Sequence, residues 1–296
     1  MEAVTRNDFV EATQSVSCWV CSTPARAAGD FTAVRLSRCP SCGFLFQPEL
    51  PIEELRQSHD ESYFENYAAT GDYDSQGVQR RREARIRLRW MRKHGCRGGR
   101  LLEVGPARGD FLAEAGRAGF DPLGIEPEPS TAEEARRRSG AEVLVGWAEE
   151  VELPPASVDV VCLWHVLEHI PQPRKVLEAL HQSLKPGGRF FCEVPNAGSV
   201  MARRQGERWD YLDPGHHVGF YSPHTLREAL TSTGYEDVET STVPMFRYAE
   251  LDATTLFKRV PRRLEFSLRA RVRPIAQHHW KQDLLRAVGS KQVAGL

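Results

Sequence analysis

The chain has 296 residues, with 39 Lys and Arg against 40 Asp and Glu and a formal net charge of -1. That length accommodates one large domain plus a small appended module, and the near-neutral balance excludes a globally basic nucleic-acid binder while leaving room for local basic faces. The first residues lack an apolar signal core and no run of about 18 apolar residues occurs, so a soluble, cytoplasmic protein without a transmembrane segment is expected.

The first chemical signal is "CWVC" followed by "CPSC". Cys18, Cys21, Cys39 and Cys42 form C-x2-C-x17-C-x2-C, while Cys96, Cys162 and Cys192 are scattered. This spacing is a zinc pattern, and an odd total of seven cysteines argues against a disulfide framework. Each C-x2-C turn aims two thiolates at one ion, and two such knuckles complete a tetrahedral site with no open position, which makes it structural. Pro40 and Gly43 supply the turn chemistry of a knuckle, and the apolar "FLF" at 44–46 predicts a strand leaving it. Residues 1–50 are therefore expected to be a zinc ribbon, in which ligation substitutes for a core too small to form unaided.

Residues 51–98 read as a linker and a basic helix. The linker is acidic and aromatic ("DESYFENY", "GDYD"), and the sign reverses in "QRRREARIRLRWMRKHG". There Ala84, Leu88 and Met91 fall at i, i+4 and i+7, predicting a helix with one apolar stripe and an arginine-rich remainder. A solvated face is the simpler account of those arginines, and an anion or nucleic-acid site is the alternative.

From residue 99 to 245 short apolar runs alternate with amphipathic helices, the pattern of an α/β, doubly wound, mostly parallel sheet. "RLLEV" is its first strand, leading into a turn bracketed by Gly105 and Gly109 whose amides can meet a ligand. "PLGIE" ends at Glu126, some 20 residues beyond that turn, where an acidic side chain can accept from both hydroxyls of a ribose. "VDVVCLWHVLEHI" is a buried strand opening into a loop, and "KPGGRFFCEVPN" carries a Gly-Gly turn and a further strand. Within the former, His165, Glu168 and His169 spell H-x-x-E-H, the ligand order of one zinc-protease class. That class needs both histidines on one helix, whereas here they leave the C-terminal end of a strand, so a protease site is not expected. A second histidine cluster, His216 and His217 in "ERWDYLDPGHHVGFYSP", follows the fifth strand, and Trp209, Tyr211 and Asp213 before it read as a substrate lid or as a loop packed on the next helix. That helix starts at Ser222 as cap with Pro223 in its first turn. Residues 246–296 form a basic tail, expected to be a helix packed on the domain or a contact for a membrane surface, a partner or RNA.

Taken together, "EVGPARG", "GIEPEPS", "GWAEE" and the two later strands resemble the class I S-adenosylmethionine-dependent methyltransferases. With the cysteine pairs, "YFENY", "VLEHIPQP", "VPNAGS" and "HHVGFYSPHTLREAL", the chain is similar to a bacterial group with a zinc ribbon fused before that domain, and "HVLEHIPQP" also looks like the ubiquinone-pathway O-methyltransferases. The resemblance implies a Rossmann-like sheet of seven strands, S-adenosylmethionine held by Glu103, Gly105, Gly109, Glu126, Trp147, Ala148 and Trp164, and a structural zinc ion. Two positions depart from the pattern: Ala107 stands where the family has a second glycine, and Trp147 where it has an acid. A methyl at a position of positive φ costs roughly 1 to 2 kcal/mol, and Trp147 can stack beside or cover the adenine. The expected function is methyl transfer to oxygen or carbon of a small-molecule acceptor, with His217 and His165 as acid/base or orienting groups and His169 bracing the loop. In the ubiquinone-pathway enzymes the equivalent loop can carry divalent-metal carboxylates, which would make His165, Glu168 and His169 ligands. The alternatives are an RNA methyltransferase with the ribbon as substrate module, and a binding protein with a degenerate cofactor loop. Self-association stays open.

Overall fold

Five strands with buried apolar residues assemble as parallel neighbours, so that the glycine turns after Val104 and Val145 and the histidine loop after Trp164 lie at one edge. The computed structural model describes residues 16–28, 35–48, 52–57, 77–213, 215–243 and 283–293. In chain order these give β1 (Arg26–Ala27), β2 (Ser37–Arg38), β3 (Leu45–Phe46), α1 (Ile52–Gln57), α2 (Gly77–Lys93), β4 (Gly99–Val104), α3 (Asp110–Arg117), β5 (Phe120–Glu126), α4 (Pro129–Ser139), β6 (Glu142–Val145) and β7 (Val158–Trp164). A 3-10 turn at Leu167–His169, α5 (Arg174–Ser183), β8 (Leu184–Pro195), α6 (Val200–Gln205), β9 (Gly219–Phe220), α7 (Pro223–Thr231), β10 (Glu236–Val243) and β11 (Leu284–Ser290) follow.

The main sheet has seven strands among the described residues, the number expected, in the order β10-β11-β8-β7-β4-β5-β6. β4 is parallel to both β5 and β7, and β7 to β8, so the chain reverses its direction of winding beside β4. That switch point opens a crevice at the C-terminal ends of β4 and β7, where doubly wound folds place their ligands.

Helices cover both faces. α2 buries Ala84, Leu88 and Met91, the stripe read from the sequence, against Leu101, Phe111 and Phe191. On the other face Leu177 and Leu180 of α5 and Leu226 and Leu230 of α7 pack on Leu102, Val161, Leu163 and Phe190. The start of α7 is fixed as its letters predict: Ser222 Oγ accepts from the Thr225 amide, Thr225 Oγ1 accepts in return from the Ser222 amide, and Pro223 occupies the first turn.

Three departures from the sequence reading are instructive. The expected domain end at residue 245 leaves out β11, which residues 284–290 insert antiparallel between β8 and β10. All seven residues of β11 are buried, so this part of the basic tail is core sheet, not a docked helix; residues 244–282 lie outside the described residues. The basic face of α2 is also less free than a solvated face would be. Arg80 pairs with Asp110 at 2.7 Å, Arg85 with Glu114 at 2.8 Å and Arg87 with Glu193 at 2.5 Å, so these arginines clamp α2 to the domain. Finally, the ribbon is continuous with the domain behind it: β3 pairs with β9, giving a second sheet β1-β2-β3-β9. The linker motifs "DESYFENY" and "GDYD" lie outside the described residues. No helix among the described residues is long and apolar enough to cross a membrane.

Candidate functional site

The turn after β4 carries the features of a cofactor cradle. Gly105 has φ 66° and Gly109 φ 80°, and both are required by space as well as by angle. A Cβ on Gly105 would lie 2.6 Å from Val166 Cγ2, and one on Gly109 2.9 Å from the Ala135 carbonyl oxygen. Ala107 between them does adopt positive φ, 47°, so the departure from glycine carries the expected strain. The Ala107 amide donates to Glu126 Oε2 at 3.1 Å, which ties the turn to the end of β5.

Glu126 is only 3% exposed, and burial pushes its carboxyl up to about 7 against the opposing amides of Glu128 and Ala107. Glu103 on β4 is equally buried, and burial raises its carboxyl well above the ordinary range. Among the described residues its Oε2 accepts no hydrogen bond, which suits an acceptor awaiting a cationic or hydroxyl donor. Trp147 and Ala148 follow β6, beside Gly146, whose amide donates to the Glu126 carbonyl at 3.1 Å. Arg56 of α1 lies over the Trp147 ring at 5.0 Å and binds Glu150 at 2.5 Å, so one face of the indole is covered by the chain itself. Trp164 sits on the same face of the sheet as Glu103, packed against Phe111 and Trp90 with Arg87 over its ring at 4.9 Å.

The loop after β7 abuts the glycine turn through Val166 and brings the histidines to the same edge. His165 adopts φ 58°, held by its amide's bond to the Glu193 carbonyl at 2.8 Å. Its Nε2 lies 3.2 Å from Glu193 Oε1 and its Nδ1 3.4 Å from Glu168 Oε1. Burial opposes charge on this ring, but the hydrogen bonds and charges of Glu168 and Glu193 outweigh it and hold the pKa up to about 9. An imidazolium at neutral pH already holds its proton and both of its N–H groups face these two carboxylates, so His165 is a poor base whose donors are engaged within the loop.

His169 and His217 meet from opposite sides, ring centroids 4.7 Å apart. His217 Nδ1 lies 2.7 Å from the Tyr211 carbonyl oxygen and His169 Nδ1 2.9 Å from that of His216. A carbonyl only accepts, so Nδ1 carries the proton in each ring and Nε2 is the basic nitrogen. One ligand atom from each of Glu168, His169 and His217 lies within 4.8 Å of the others, so the carboxylate and two imidazoles can hold a divalent ion. His217 thereby takes the place that the sequence reading gave to His165. Such a donor set suits zinc or another first-row transition metal better than magnesium.

Two acids organise this edge: Glu193, which the sequence reading passed over, and Glu168, which it named in the loop motif. Glu193, wholly buried on β8, receives Arg87 of α2, Arg286 of β11 and His165, and the two arginines hold its carboxyl far below the ordinary range despite burial. Glu168 is buried as well; its Oε1 faces His165 Nδ1 at 3.4 Å, and its Oε2 has no hydrogen-bond partner among the described residues. The residues read as a lid behave differently from a free loop: Trp209 is buried against Leu36 and Leu45 of the ribbon and Phe220 of β9, while Tyr211 stacks beside His217 at 6.4 Å.

Away from this crevice, the four N-terminal cysteines converge. Cys18 and Cys42 sulfurs lie 3.6 Å apart and those of Cys21 and Cys39 3.4 Å apart, with all four within 4.8 Å of one another. Tetrahedral ligation with Zn–S bonds of about 2.3 Å needs separations of about 3.8 Å, so the cluster is compatible with a zinc ribbon. The amides of Val20 and Cys42 donate to the sulfurs of Cys18 and Cys39, each at 3.4 Å, as thiolate ligands require.

Comparison with known proteins agrees with this geometry. A sequence family described as a methyltransferase domain matches residues 77–240, a span that excludes the ribbon and β11. The ubiquinone biosynthesis O-methyltransferase of Idiomarina loihiensis is 27% identical over 168 residues, covering 52% of this chain and 69% of that protein. A probable S-adenosylmethionine-dependent methyltransferase of Mycolicibacterium smegmatis is 31% identical over 167 residues, covering 54% of this chain and 61% of that protein. The chain thus spans about two thirds of these relatives' length. The crystal structure of a SAM-dependent methyltransferase from Archaeoglobus fulgidus superposes with a TM-score of 0.52 at 22% identity, covering 71% of this chain and 94% of the other, which shows the shared fold. The switch-point crevice, the glycine turn bonded to Glu126 and the family match over more than half of the sequence have one conclusion: the chain belongs to the methyltransferase-domain family, the S-adenosylmethionine-dependent methyltransferases of Rossmann-like fold.

Proposed function

We propose that this methyltransferase acts on an oxygen of a small organic acceptor, with S-adenosylmethionine held by Glu103, the Gly105–Gly109 turn, Glu126 and the Trp147–Ala148 segment, and with zinc in the Cys18, Cys21, Cys39 and Cys42 ribbon. The observation that carries this reading is that His217, its tautomer set by the Tyr211 carbonyl, shares an edge with the Val166 loop that touches the glycine turn. Curated relatives named as ubiquinone biosynthesis O-methyltransferases support oxygen over carbon.

S-adenosylmethionine supplies an electrophilic methyl group whose thioether leaves without protonation. The chain's own work is alignment, which can supply roughly 7 to 11 kcal/mol, and removal of the acceptor's proton. His217 Nε2 is the base that takes the hydroxyl proton, and its Nδ1–H stays on Tyr211. His165, already protonated, fixes the loop through its ring contacts with Glu168 and Glu193, and His169 braces His217 through their ring contact. The arginines of α2 that pair with Asp110, Glu114 and Glu193 are spent within the fold, which favours a small acceptor over RNA.

Transfer of label from S-adenosylmethionine to a panel of phenols, sugars and keto acids, beside total RNA, tests the reading. Label in a hydroxylated small molecule is expected, and His217→Ala lowers that turnover by roughly 100-fold with cofactor affinity unchanged. Label in RNA alone, or full turnover by the variant, overturns it.

A further inference from the structure

The ribbon and the histidine edge share a backbone strip. From the second knuckle the Cys39 amide donates to the Phe44 carbonyl at 2.9 Å, and the chain continues into β3, whose Leu45 and Phe46 face Phe220 and Gly219 of β9. One residue further, the Gln47 amide donates to the Val218 carbonyl at 2.9 Å, and the Val218 amide donates to the Glu168 carbonyl at the same distance. Val218 is 1% exposed and directly follows His217. The side chains repeat the connection: Phe44 packs on Tyr221 at 5.0 Å and on Phe46 at 5.6 Å, and Arg174 Nη2 donates to the Val20 carbonyl at 2.6 Å. Among the described residues, the amides of the cofactor turn donate instead to Glu126, Ile125 and Pro106.

We propose that the ribbon is a positioning element of the acceptor side of the site, and that Gln47 is its positioning residue: the Gln47 backbone N–H fixes Val218, and Val218 sets both His217 and the Glu168–His169 turn. The chain thereby places its metal-held knuckle one hydrogen-bonded step from the groups that face the acceptor, while the backbone bonds of the cofactor turn run to the sheet. Disturbing the ribbon loosens the histidines and spares cofactor binding. This rests on the reading of His217 as an acceptor-facing group, although the coupling itself can be measured without any acceptor.

The test uses the full zinc-loaded chain. Gln47→Pro removes the N–H donor without touching a cysteine or a histidine, and Gln47→Ala keeps it. The expected result for Gln47→Pro is retained zinc, wild-type affinity for S-adenosylmethionine, amide exchange at Val218 and Phe220 faster by roughly tenfold or more, and loss of the slowly exchanging His217 Nδ1–H resonance. Gln47→Ala should restore both signals. If the proline variant loses cofactor binding through misfolding, chelation of zinc from the wild type replaces it, with the same expectation at Val218 and Phe220. Wild-type exchange at those amides, in the folded proline variant or in the chelated protein, overturns the proposal. A wild type that binds no S-adenosylmethionine would instead count against the methyltransfer reading, and the exchange data would still judge the coupling.

Discussion

Glu126 sits at a titration point that makes its contribution measurable. Both of its oxygens meet backbone amides, from Ala107 at 3.1 Å and Glu128 at 3.4 Å, yet burial still pushes its pKa up to about 7. In the role proposed for it, two ribose hydroxyls donate more strongly to the ionised carboxylate than to the acid, so cofactor binding would draw on the deprotonated fraction. Affinity therefore rises as pH rises towards and through the pKa, with a limiting slope of about tenfold per pH unit below it. Calorimetry should show the Kd for S-adenosylmethionine falling by roughly tenfold between about pH 6 and about pH 8; Glu126→Gln should bind more weakly at every pH and lose that dependence. A wild-type profile as flat as the variant's would place the ribose elsewhere. The place of Glu126 at the end of β5, bonded to the glycine turn, was legible because a local rule, an acid some 20 residues past such a turn, fixes it. Glu193 was not. Its partners lie at 87, 165 and 286, and no window of sequence contains them together. Glu193→Gln leaves Arg87 and Arg286 buried without an anion, so equilibrium unfolding should show a loss of about 3 to 5 kcal/mol. A loss below about 1 kcal/mol, the scale of an exposed pair, would mean that water reaches these arginines.

At the scale of elements, the helices with one buried stripe were readable and the strands buried on both faces were less so. α2 announced itself by Ala84, Leu88 and Met91 because only one side of it meets the core. β11 has no alternation to reveal it: "LLRAVGS" is buried along its whole length and follows a long basic segment that dominates the local composition. β3 and β9, two residues each, are too short for any period, so the join between ribbon and domain is invisible before the chain folds. β11 supplies Arg286 to Glu193 and pairs with both β8 and β10, so its removal opens two strand edges at once. A chain ending at residue 282 should aggregate on expression, and adding residues 283–293 as a peptide during refolding should recover soluble, cofactor-binding protein. A soluble truncated chain with unchanged cooperative unfolding would show that the sheet closes without this strand.

For the molecule as a whole, the sequence reading of a Rossmann-like domain preceded by a separate zinc module captures the parts but not their union. The expectation of a module came from spacing, which specifies how four thiolates meet and says nothing about what the ribbon packs on. In the structure Val20, Phe44 and Phe46 belong to the same buried cluster as Leu102, Val161 and Leu177, and the ribbon's Leu36 and Leu45 close over Trp209 and Phe220. A shared core makes the ribbon's stability part of the domain's, so a zinc ion in the proposed Cys18, Cys21, Cys39 and Cys42 site would stabilise both together. The gain is RT ln(1 + [L]/Kd), about 2.7 kcal/mol when free zinc exceeds Kd by 100-fold. Scanning calorimetry of the zinc-loaded chain should therefore show one transition, which chelator shifts to lower temperature as a whole. Two resolved transitions, with the larger one indifferent to chelator, would mean that the β3–β9 pairing and the aromatic contacts around Phe44 leave the two units energetically independent.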